Sequence, residues 1–274
     1  MSEKNRLNDA KLLCPVCGKR LLLEGGSLRC MEGHCFDVSR QGYVNLLPGR
    51  GAFYPMELFR NRRFVFDRGF YAPLLEKMQL LIERYVKAEK PVLLDAGCGE
   101  GYYAGNLFKN GNWIKTAFDI SREAVQLGAQ RYEDVAFIVA DLKRIPLPDH
   151  SVDCILDVLT PADYTEFSRV IKKNGCVLKA IPGEGYLKEL RTLAKDQLRS
   201  GPYESDRVKD YFALHMQCVR RDRITYTLPV TQEEARAFAR MTPMLQRVDV
   251  EALDLGGVTE ITIDMELLVG KKKR

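Results

Sequence analysis

From residue 91 onward, short apolar runs alternate with segments whose apolar residues recur at helical spacing. Such alternation predicts a parallel sheet with helices on both faces, because each strand is buried between two helical layers. The sequence therefore predicts a doubly wound α/β fold with its ligands at the carboxyl ends of the strands. The predicted strands are Val92–Leu94, Trp113–Phe118, Ala136–Val139, Val152–Leu159 and Cys176–Ile181, and the predicted helices are Tyr102–Lys109, Ser121–Arg131, Ala162–Ile171 and Gly185–Arg199.

The last part of the chain has a different pattern. Val219–Leu228 and Thr259–Val269 alternate polar and apolar residues, as half-buried strands do, and Gln232–Met241 between them has helical spacing. A final antiparallel hairpin on a Rossmann-like parallel sheet is the arrangement that class I methyltransferases carry. The pattern therefore predicts that fold class.

Two other segments precede the alternating region. Residues 1–48 are short and cysteine-rich, and we expect a small zinc-binding ribbon domain there. Residues 49–90 are predicted to form a linker and a helical region, with helices over Met56–Phe70 and Leu74–Lys87, and residues 91–274 the methyltransferase domain. The first of these helices interleaves arginines with phenylalanines, which suits either nucleic-acid contact or packing on the core.

Composition and charge indicate the cellular compartment and the kinds of partner that this protein can have. The chain has 274 residues, and its formal net charge of +5 permits a polyanionic partner without establishing one. Met1–Ala10 lacks the apolar core of a signal peptide, and no stretch approaches the roughly 20 apolar residues of a membrane span. We therefore expect a cytoplasmic protein without a membrane partner. In that reducing compartment, clustered cysteines favour metal binding over disulfides.

A cluster of metal-ligand residue types lies near the N-terminus. Cys14 and Cys17 form a zinc-knuckle pair, and Cys30 and His34 supply a second pair after a predicted hairpin over Leu21–Arg29. Three thiolates and one imidazole make a closed tetrahedral site, which predicts one structural Zn²⁺ per chain. Because so short a segment cannot bury enough core to fold alone, metal binding is expected to supply its folding energy.

The fourth zinc ligand has two candidates that are adjacent in the chain. His34 and Cys35 both carry a group that can coordinate zinc. We favour His34, because Cys35 leads into Phe36, which has the character of a core residue.

The clearest chemical motif is the heptapeptide 95–101, Asp-Ala-Gly-Cys-Gly-Glu-Gly, directly after the strand Val92–Leu94. Glycines allow a tight turn and a close approach of the backbone to a ligand. The G-x-G-x-G spacing differs from the G-x-G-x-x-G of dinucleotide folds, so a pyrophosphate site is not predicted. The candidate cofactor-binding residues of this turn are Asp95, Gly97, Gly99, Glu100 and Gly101.

Two further acids complete the predicted cofactor site. Asp119 ends the next strand, and an acid about 20 residues after a glycine turn accepts the hydroxyl groups of a ribose. Asp141 follows the third strand, where we expect a contact to the adenine amino group. This set predicts S-adenosylmethionine as the cofactor, with its methionine end facing the glycine turn.

The end of the fourth strand is where a substrate should meet the methyl donor. Asp157 lies there and is our candidate for the proton acceptor, although a helix or turn cap is the alternative for an acid at this position. The following segment 160–163, Thr-Pro-Ala-Asp, lacks the Asn/Asp-Pro-Pro-aromatic turn of adenine-N6 enzymes and the nucleophilic cysteine of cytosine-C5 enzymes.

Several segments together resemble one family, the bacterial 23S rRNA guanine-N1 methyltransferases of the RlmA type. The resemblance covers nearly the whole chain, and the order of the segments is itself specific. The segments are Cys14–Cys17, Cys30–His34, Phe36–Asp37, the run Gln-Gly-Tyr-Val-Asn-Leu-Leu-Pro over 41–48, Gly69–Leu74, Asp95–Tyr103, Arg144–Leu147 and Ile181–Gly183.

The resemblance implies a role for further residues. It implies zinc ligation by the same three cysteines and His34, and contact of Tyr71 and the Gly99–Glu100 turn with S-adenosylmethionine. Tyr186 stands where the family has a histidine near the cofactor, a departure at which an aromatic ring can still line the pocket. The resemblance also implies a homodimer that clasps a stem-loop of 23S rRNA, with N1 of an unstacked guanine as the methyl acceptor.

Two other functions are compatible with the residues alone. The first is a small-molecule methyltransferase that carries a structural zinc ribbon. The second is a catalytically inactive RNA-binding protein, against which the intact turn from Asp95 to Gly101 and the acid Asp119 argue.

Overall fold

The computed structural model describes residues 3–49, 51–52, 54–198 and 205–273 of the chain. The described residues form a small antiparallel sheet and a large mixed sheet. The strands are β1 Leu22–Glu24, β2 Ser27–Arg29, β3 Cys35–Asp37, β4 Val44–Asn45, β5 Val92–Ala96, β6 Ile114–Asp119, β7 Val135–Val139, β8 Val152–Val158, β9 Ile171–Pro182, β10 Met216–Pro229 and β11 Glu260–Lys272.

Helices cover both faces of the large sheet. Side-chain N-caps begin several of them; the Ser121 hydroxyl, for example, accepts a 3.2 Å hydrogen bond from the Ala124 amide. No helix within the described ranges is both long and apolar enough to cross a bilayer. The helices are α1 Glu3–Asp9, α2 Met56–Asp67, α3 Ala72–Tyr85, α4 Tyr102–Asn106, α5 Arg122–Arg131, α6 Tyr164–Val170, α7 Lys188–Leu193, α8 Ser205–His215 and α9 Gln232–Met241.

The strand order of the large sheet is β10-β11-β9-β8-β5-β6-β7-β4. Strands β4 to β9 are all parallel to one another, while β11 is antiparallel to both β9 and β10. This is a doubly wound sheet with an antiparallel final hairpin, so the predicted fold class is confirmed. The topological switch point lies between β5 and β8, where ligands of such sheets bind.

Two helices, α7 and α8, differ from the elements that the sequence predicts. The predicted helix over 185–199 is reduced to α7 among the described residues, and Arg199 lies outside them. Helix α8 has no counterpart among the predicted elements. Its buried residues are Ser205 and Phe212, whereas Tyr211 and Leu214 are exposed, so the apolar residues do not mark one buried face and periodicity gives a weak signal there.

Strand β4 joins the N-terminal segment to the large sheet. Val44 and Asn45 pair in parallel with Ile138 and Val139 of β7, and the Leu46 amide donates to the Val139 carbonyl at 2.9 Å. The three-stranded sheet β1-β2-β3 thus leads directly into an edge strand of the methyltransferase sheet. The ribbon is anchored to the sheet by main-chain hydrogen bonds as well as by side chains.

The hairpin of β10 and β11 extends beyond the sheet. Pairing of β11 with β9 ends at Met265 and Pro182, whereas pairing with β10 continues as far as Glu260 and Pro229. The added length stands past the carboxyl ends of the parallel strands. It therefore forms a wall beside the edge at which the predicted site residues lie.

Candidate functional site

The glycine turn after β5 has the backbone conformation that its sequence predicts. Gly97, Gly99 and Gly101 have φ angles of 69°, 56° and 74°, in the left-handed region that side chains disfavour. The amides of Gly97 and Cys98 both donate to the Phe118 carbonyl at 2.9 Å. These bonds tie the turn to the end of β6 and fix the two loops against each other.

Asp119 links the same two loops through its side chain. Its Oδ2 accepts from the Gly99 amide at 2.8 Å, and its Oδ1 accepts from the Ser121 amide at 2.9 Å. Each carboxylate oxygen has a second lone pair, so both can still accept a hydroxyl group of a ribose. Burial raises the pKa of this carboxyl above its ordinary value. The geometry fits the role that the sequence predicts for it.

Asp95 lies beneath the turn and is almost fully buried, with 1% of its surface exposed. Its Oδ2 accepts from the Ala104 amide in the first turn of α4 at 3.2 Å. Burial raises the pKa of this carboxyl to about 7, while the hydrogen bond from Ala104 opposes the shift. A carboxyl in this state becomes ionised readily when a cationic ligand approaches.

Glu100 is a second buried carboxyl in the turn. Its Oε2 has no hydrogen-bond partner and lies 3.9 Å from Arg63 Nε, which has none either. Burial raises its pKa to about 7, although nearby arginines lower it. Because buried polar atoms are normally hydrogen-bonded, this unpartnered oxygen beside the glycine turn can accept a hydrogen bond from a bound ligand.

The loop after β8 packs against the glycine turn. A Cβ atom on Gly97 would overlap the Thr160 hydroxyl and stand 3.0 Å from the Thr160 Cβ. A Cβ atom on Gly101 would stand 2.5 Å from the Phe137 ring. Both glycines are therefore required by close packing as well as by backbone conformation. The sequence did not single out Thr160, because its proximity to Gly97 depends on strand pairing.

Tyrosines form the wall next to the turn. Tyr71 and Tyr186 share a hydrogen bond of 2.6 Å between their hydroxyl groups, and both rings are buried. Tyr103 is 7% exposed, and its hydroxyl has no hydrogen-bond partner. The structure thus brings the two predicted aromatic residues together and adds Tyr103, whose position in the segment Asp95–Tyr103 was its only sequence signal.

Asp157 and Lys179 form a buried ion pair at the ends of β8 and β9. Lys179 Nζ donates to Asp157 Oδ2 at 2.7 Å and to the Thr160 carbonyl at 3.2 Å. Asp157 has no exposed surface, and its Oδ1 has no partner. Burial raises the pKa of Asp157 to about 6, while Lys179 lowers it. Asp157 is therefore attached through Lys179 to the loop that faces Gly97.

Replacing Lys179 with Met should destabilise the protein at pH 7 by about 3 kcal/mol, because it leaves a buried carboxylate without its counter-ion. The loss should shrink near pH 5, where Asp157 takes up a proton and no longer carries a charge. Urea unfolding at both pH values measures this. The double variant D157N/K179M should regain most of the stability, and an equal loss at both pH values would contradict the explanation.

Asp141 lies at the far side of the predicted cofactor site. It is half-buried after β7, and its Oδ1 accepts from the Lys143 amide at 2.9 Å. This short turn fixes the carboxylate beyond the strand end, on the same edge of the sheet as Asp119. Its predicted contact with an adenine ring stays a prediction.

The N-terminal cluster has the geometry of a zinc site. The ligand atoms of Cys14, Cys17, Cys30 and His34 all lie within 4.8 Å of one another. Cys17 Sγ and Cys30 Sγ are 3.6 Å apart, and Cys30 Sγ is 3.3 Å from His34 Nδ1. In a tetrahedral site with zinc–sulfur bonds of about 2.3 Å, two sulfur atoms stand about 3.8 Å apart. The donor set fits one structural Zn²⁺.

The structure places His34 rather than Cys35 in this cluster. Cys35 is exposed and begins β3, where it pairs with Arg29. Phe36 next to it is partly buried against the core between the ribbon and the sheet. The alternation of side chains along β3 thus directs neighbouring residues to opposite sides.

The cofactor site should bind S-adenosylmethionine more tightly as the pH rises from 6 to 8. Asp95 and Glu100, with pKa values of about 7 in the free protein, are protonated at pH 6 and ionised at pH 8. The sulfonium and ammonium groups of the ligand favour the ionised carboxylates, so binding near pH 7 should release protons. Calorimetry in two buffers of different ionisation enthalpy measures this release. E100Q should reduce it by roughly half, and a binding enthalpy independent of buffer would contradict the assignment.

Comparisons with known proteins agree with this geometry. Residues 12–50 match the family model described as "RlmA, N-terminal", and residues 93–179 match the one described as "Methyltransferase domain". A chain from the complex between the Haloferax volcanii Trm112 methyltransferase activator and a methyltransferase superposes with a TM-score of 0.52 at 18% identity, covering 81% of this chain and 100% of that chain. Fold and site define a class I, S-adenosylmethionine-dependent methyltransferase with a structural zinc ribbon.

Relatives that align along nearly the whole chain specify the family. The Bacillus subtilis (strain 168) protein YxjB, assigned as a 23S rRNA (guanine-N(1)-)-methyltransferase, is 30% identical over 98% of this chain and 100% of its own length. The 23S rRNA (guanine(748)-N(1))-methyltransferase of Streptomyces fradiae is 30% identical over 94% of this chain and 95% of its own. The chain belongs to the family of 23S rRNA (guanine-N1)-methyltransferases.

Proposed function

We propose that this enzyme transfers the methyl group of S-adenosylmethionine to N1 of a guanine in a hairpin loop of 23S rRNA. The proposal rests on one observation: this chain combines the four-ligand zinc cluster with the glycine turn joined to Asp119. The chain that carries both aligns along nearly its whole length with guanine-N1 methyltransferases.

The residues of the turn would bind and orient the cofactor. We assign Asp119 to the ribose, Asp141 to the adenine, and Asp95 and Glu100 to the cationic end of the cofactor. When bound, S-adenosylmethionine supplies an activated methyl group on a sulfonium. Positioning of the acceptor by the loop at Thr160 would then provide most of the catalysis, an effect that can be worth roughly 7–11 kcal/mol.

Guanine N1 carries a proton that must be lost during methylation, and we propose Asp157 as its acceptor. Its Oδ1 is the unpartnered oxygen of the buried pair with Lys179. Because Asp157 has no exposed surface, the Thr160 loop has to shift for this oxygen to reach a substrate. D157N should lower kcat without changing cofactor affinity, and loss of cofactor affinity instead would indicate a structural role.

The zinc ribbon and the assembly of the protein complete the proposal. We propose that the ribbon contacts the rRNA hairpin, that two copies of the chain bind one hairpin, and that the enzyme acts in the cytoplasm, where ribosomal RNA is made. The net charge of +5 supports association with RNA. Light scattering with and without the hairpin should give two chains per complex, and one chain per hairpin would contradict the dimer.

The reaction is tested by labelled methyl transfer to unmethylated 23S rRNA, followed by primer extension. Methylation at N1 blocks base pairing, so a new stop at a single loop guanine is expected. Matched reactions with the G97V variant should show no stop. Cofactor binding without incorporation into rRNA would move the assignment to a small-molecule substrate.

A further inference from the structure

Helix α2 places one arginine against the glycine turn. The Arg62 Nη1 atom stands 3.0 Å from the position that a Cβ atom on Gly99 would occupy. The helix is held over the turn by its neighbours: Arg63 Nη2 donates to the Leu127 carbonyl on α5 at 3.3 Å, and Asp67 pairs with Arg131. Arg62 thus reaches the cofactor site from a helix outside the methyltransferase sheet.

The guanidinium of Arg62 is available for a ligand. Within the described ranges it makes no ion pair or hydrogen bond, and it lies over the Phe59 ring, 5.9 Å from the centroid. Neighbouring arginines differ in this respect, since Arg68 pairs with Glu234 and Arg131 with Asp67. A half-buried guanidinium with only an aromatic partner keeps its fork of donors free.

The charged side chains of the turn itself and of the end of β6 are acidic. Arg63 is a second arginine close to them, with its Nε 3.9 Å from Glu100 Oε2, but its Nη2 is bonded to the Leu127 carbonyl. Asp95, Glu100 and Asp119 are all buried or half-buried within the turn and its partner loop. Burial raises the pKa of Glu100 and of Asp119, and the positive charge of Arg62 opposes both shifts, as expected from the position of its guanidinium at Gly99. The acidic groups match the sulfonium and ammonium of S-adenosylmethionine. The same acidic groups repel the carboxylate of S-adenosylmethionine. That carboxylate therefore requires a positively charged group close to the turn.

We propose that Arg62 binds the carboxylate of the amino-acid part of S-adenosylmethionine. The proposal rests on that cofactor as methyl donor and is independent of the RNA substrate. A planar guanidinium matches a carboxylate with two parallel hydrogen bonds, which adds orientation to affinity. Arg62 thereby couples α2 to the occupied cofactor site and makes the site selective for ligands that carry the carboxylate.

The test compares two ligands that differ in that group. S-adenosylhomocysteine has the amino-acid part, whereas 5′-methylthioadenosine has the same nucleoside and sulfur without it. Calorimetry with the full-length zinc-loaded protein measures both affinities. R62A should lower the affinity for S-adenosylhomocysteine by about 10- to 100-fold and leave the affinity for 5′-methylthioadenosine unchanged. R62K, which keeps the charge without the fork, should fall between R62A and the wild type.

Arg60 provides the matched control, because it lies on the same helix and is exposed. R60A should bind both ligands as the wild type does. Equal weakening of both ligands by R62A and R62K would overturn the proposal and make Arg62 a support of the turn. Unchanged affinity for both ligands would overturn it as well. Failure of the wild type to bind S-adenosylhomocysteine would instead contradict the choice of cofactor.

Discussion

Replacing Gly97 with Val is expected to lower the affinity for S-adenosylhomocysteine by at least about 1,000-fold while leaving bound zinc unchanged. A side chain at φ 69° is strained, and its Cβ would overlap the Thr160 hydroxyl. The turn or the Thr160 loop must then move, and either movement removes the surface on which the cofactor lies. Calorimetry gives the affinity, and elemental analysis gives the zinc content.

Gly257 offers a matched control for this variant. It is exposed, has no left-handed φ angle, and has no atom within 4 Å of a Cβ built on it. G257V should bind the ligand as the wild type does. Retained affinity in G97V would show that the cofactor lies elsewhere, because no arrangement around this turn accommodates the added side chain without displacement.

Replacing Cys14 with Ser is expected to release the zinc ion and unfold the ribbon. A structural zinc site contributes about 10–16 kcal/mol of apparent binding free energy, and the three short strands β1, β2 and β3 cannot compensate for its loss. RNA affinity should fall far more than cofactor affinity, because the glycine turn and Asp119 lie on the other sheet. Filter binding to the rRNA hairpin and calorimetry with S-adenosylhomocysteine measure the two effects.

Cys35 is the matched control for Cys14 and also tests the choice of fourth ligand. Its thiol is exposed beside His34, whereas Cys14 is buried in the cluster. C35S should keep one zinc per chain, and H34A should lose it. Zinc loss in C35S would identify Cys35 as a ligand, and unchanged RNA affinity in C14S would remove the ribbon from RNA recognition.

Local signals in the sequence were sufficient for much of the fold and the site. The alternation of apolar runs with helical segments predicted strands β5 to β9 and the helical segments between them, since each strand and helix carries its own periodicity. The glycine turn and the zinc cluster are likewise contiguous or nearly contiguous motifs. Their chemistry follows from residue types at short spacing, which a single sequence displays directly.

Contacts between distant segments were not accessible in this way. Strand β4 is two residues long, too short for any periodicity, and it exists because β7 offers an unpaired edge. The Asp157–Lys179 pair depends on the register of β8 with β9, in which these two residues are direct partners. A pattern of polar and apolar residues does not specify such partners.

The amino-acid sequence by itself determined the class I fold, the glycine turn with Asp119, and the zinc ligand types, because each is encoded by local spacing. Only the tertiary structure decided that Thr160 packs against Gly97 and that the Arg62 side chain lies next to Gly99. These contacts join residues far apart in the chain and arise from how α2 and the strand ends pack. Long-range packing is a property of the whole fold, so no short stretch of sequence contains it.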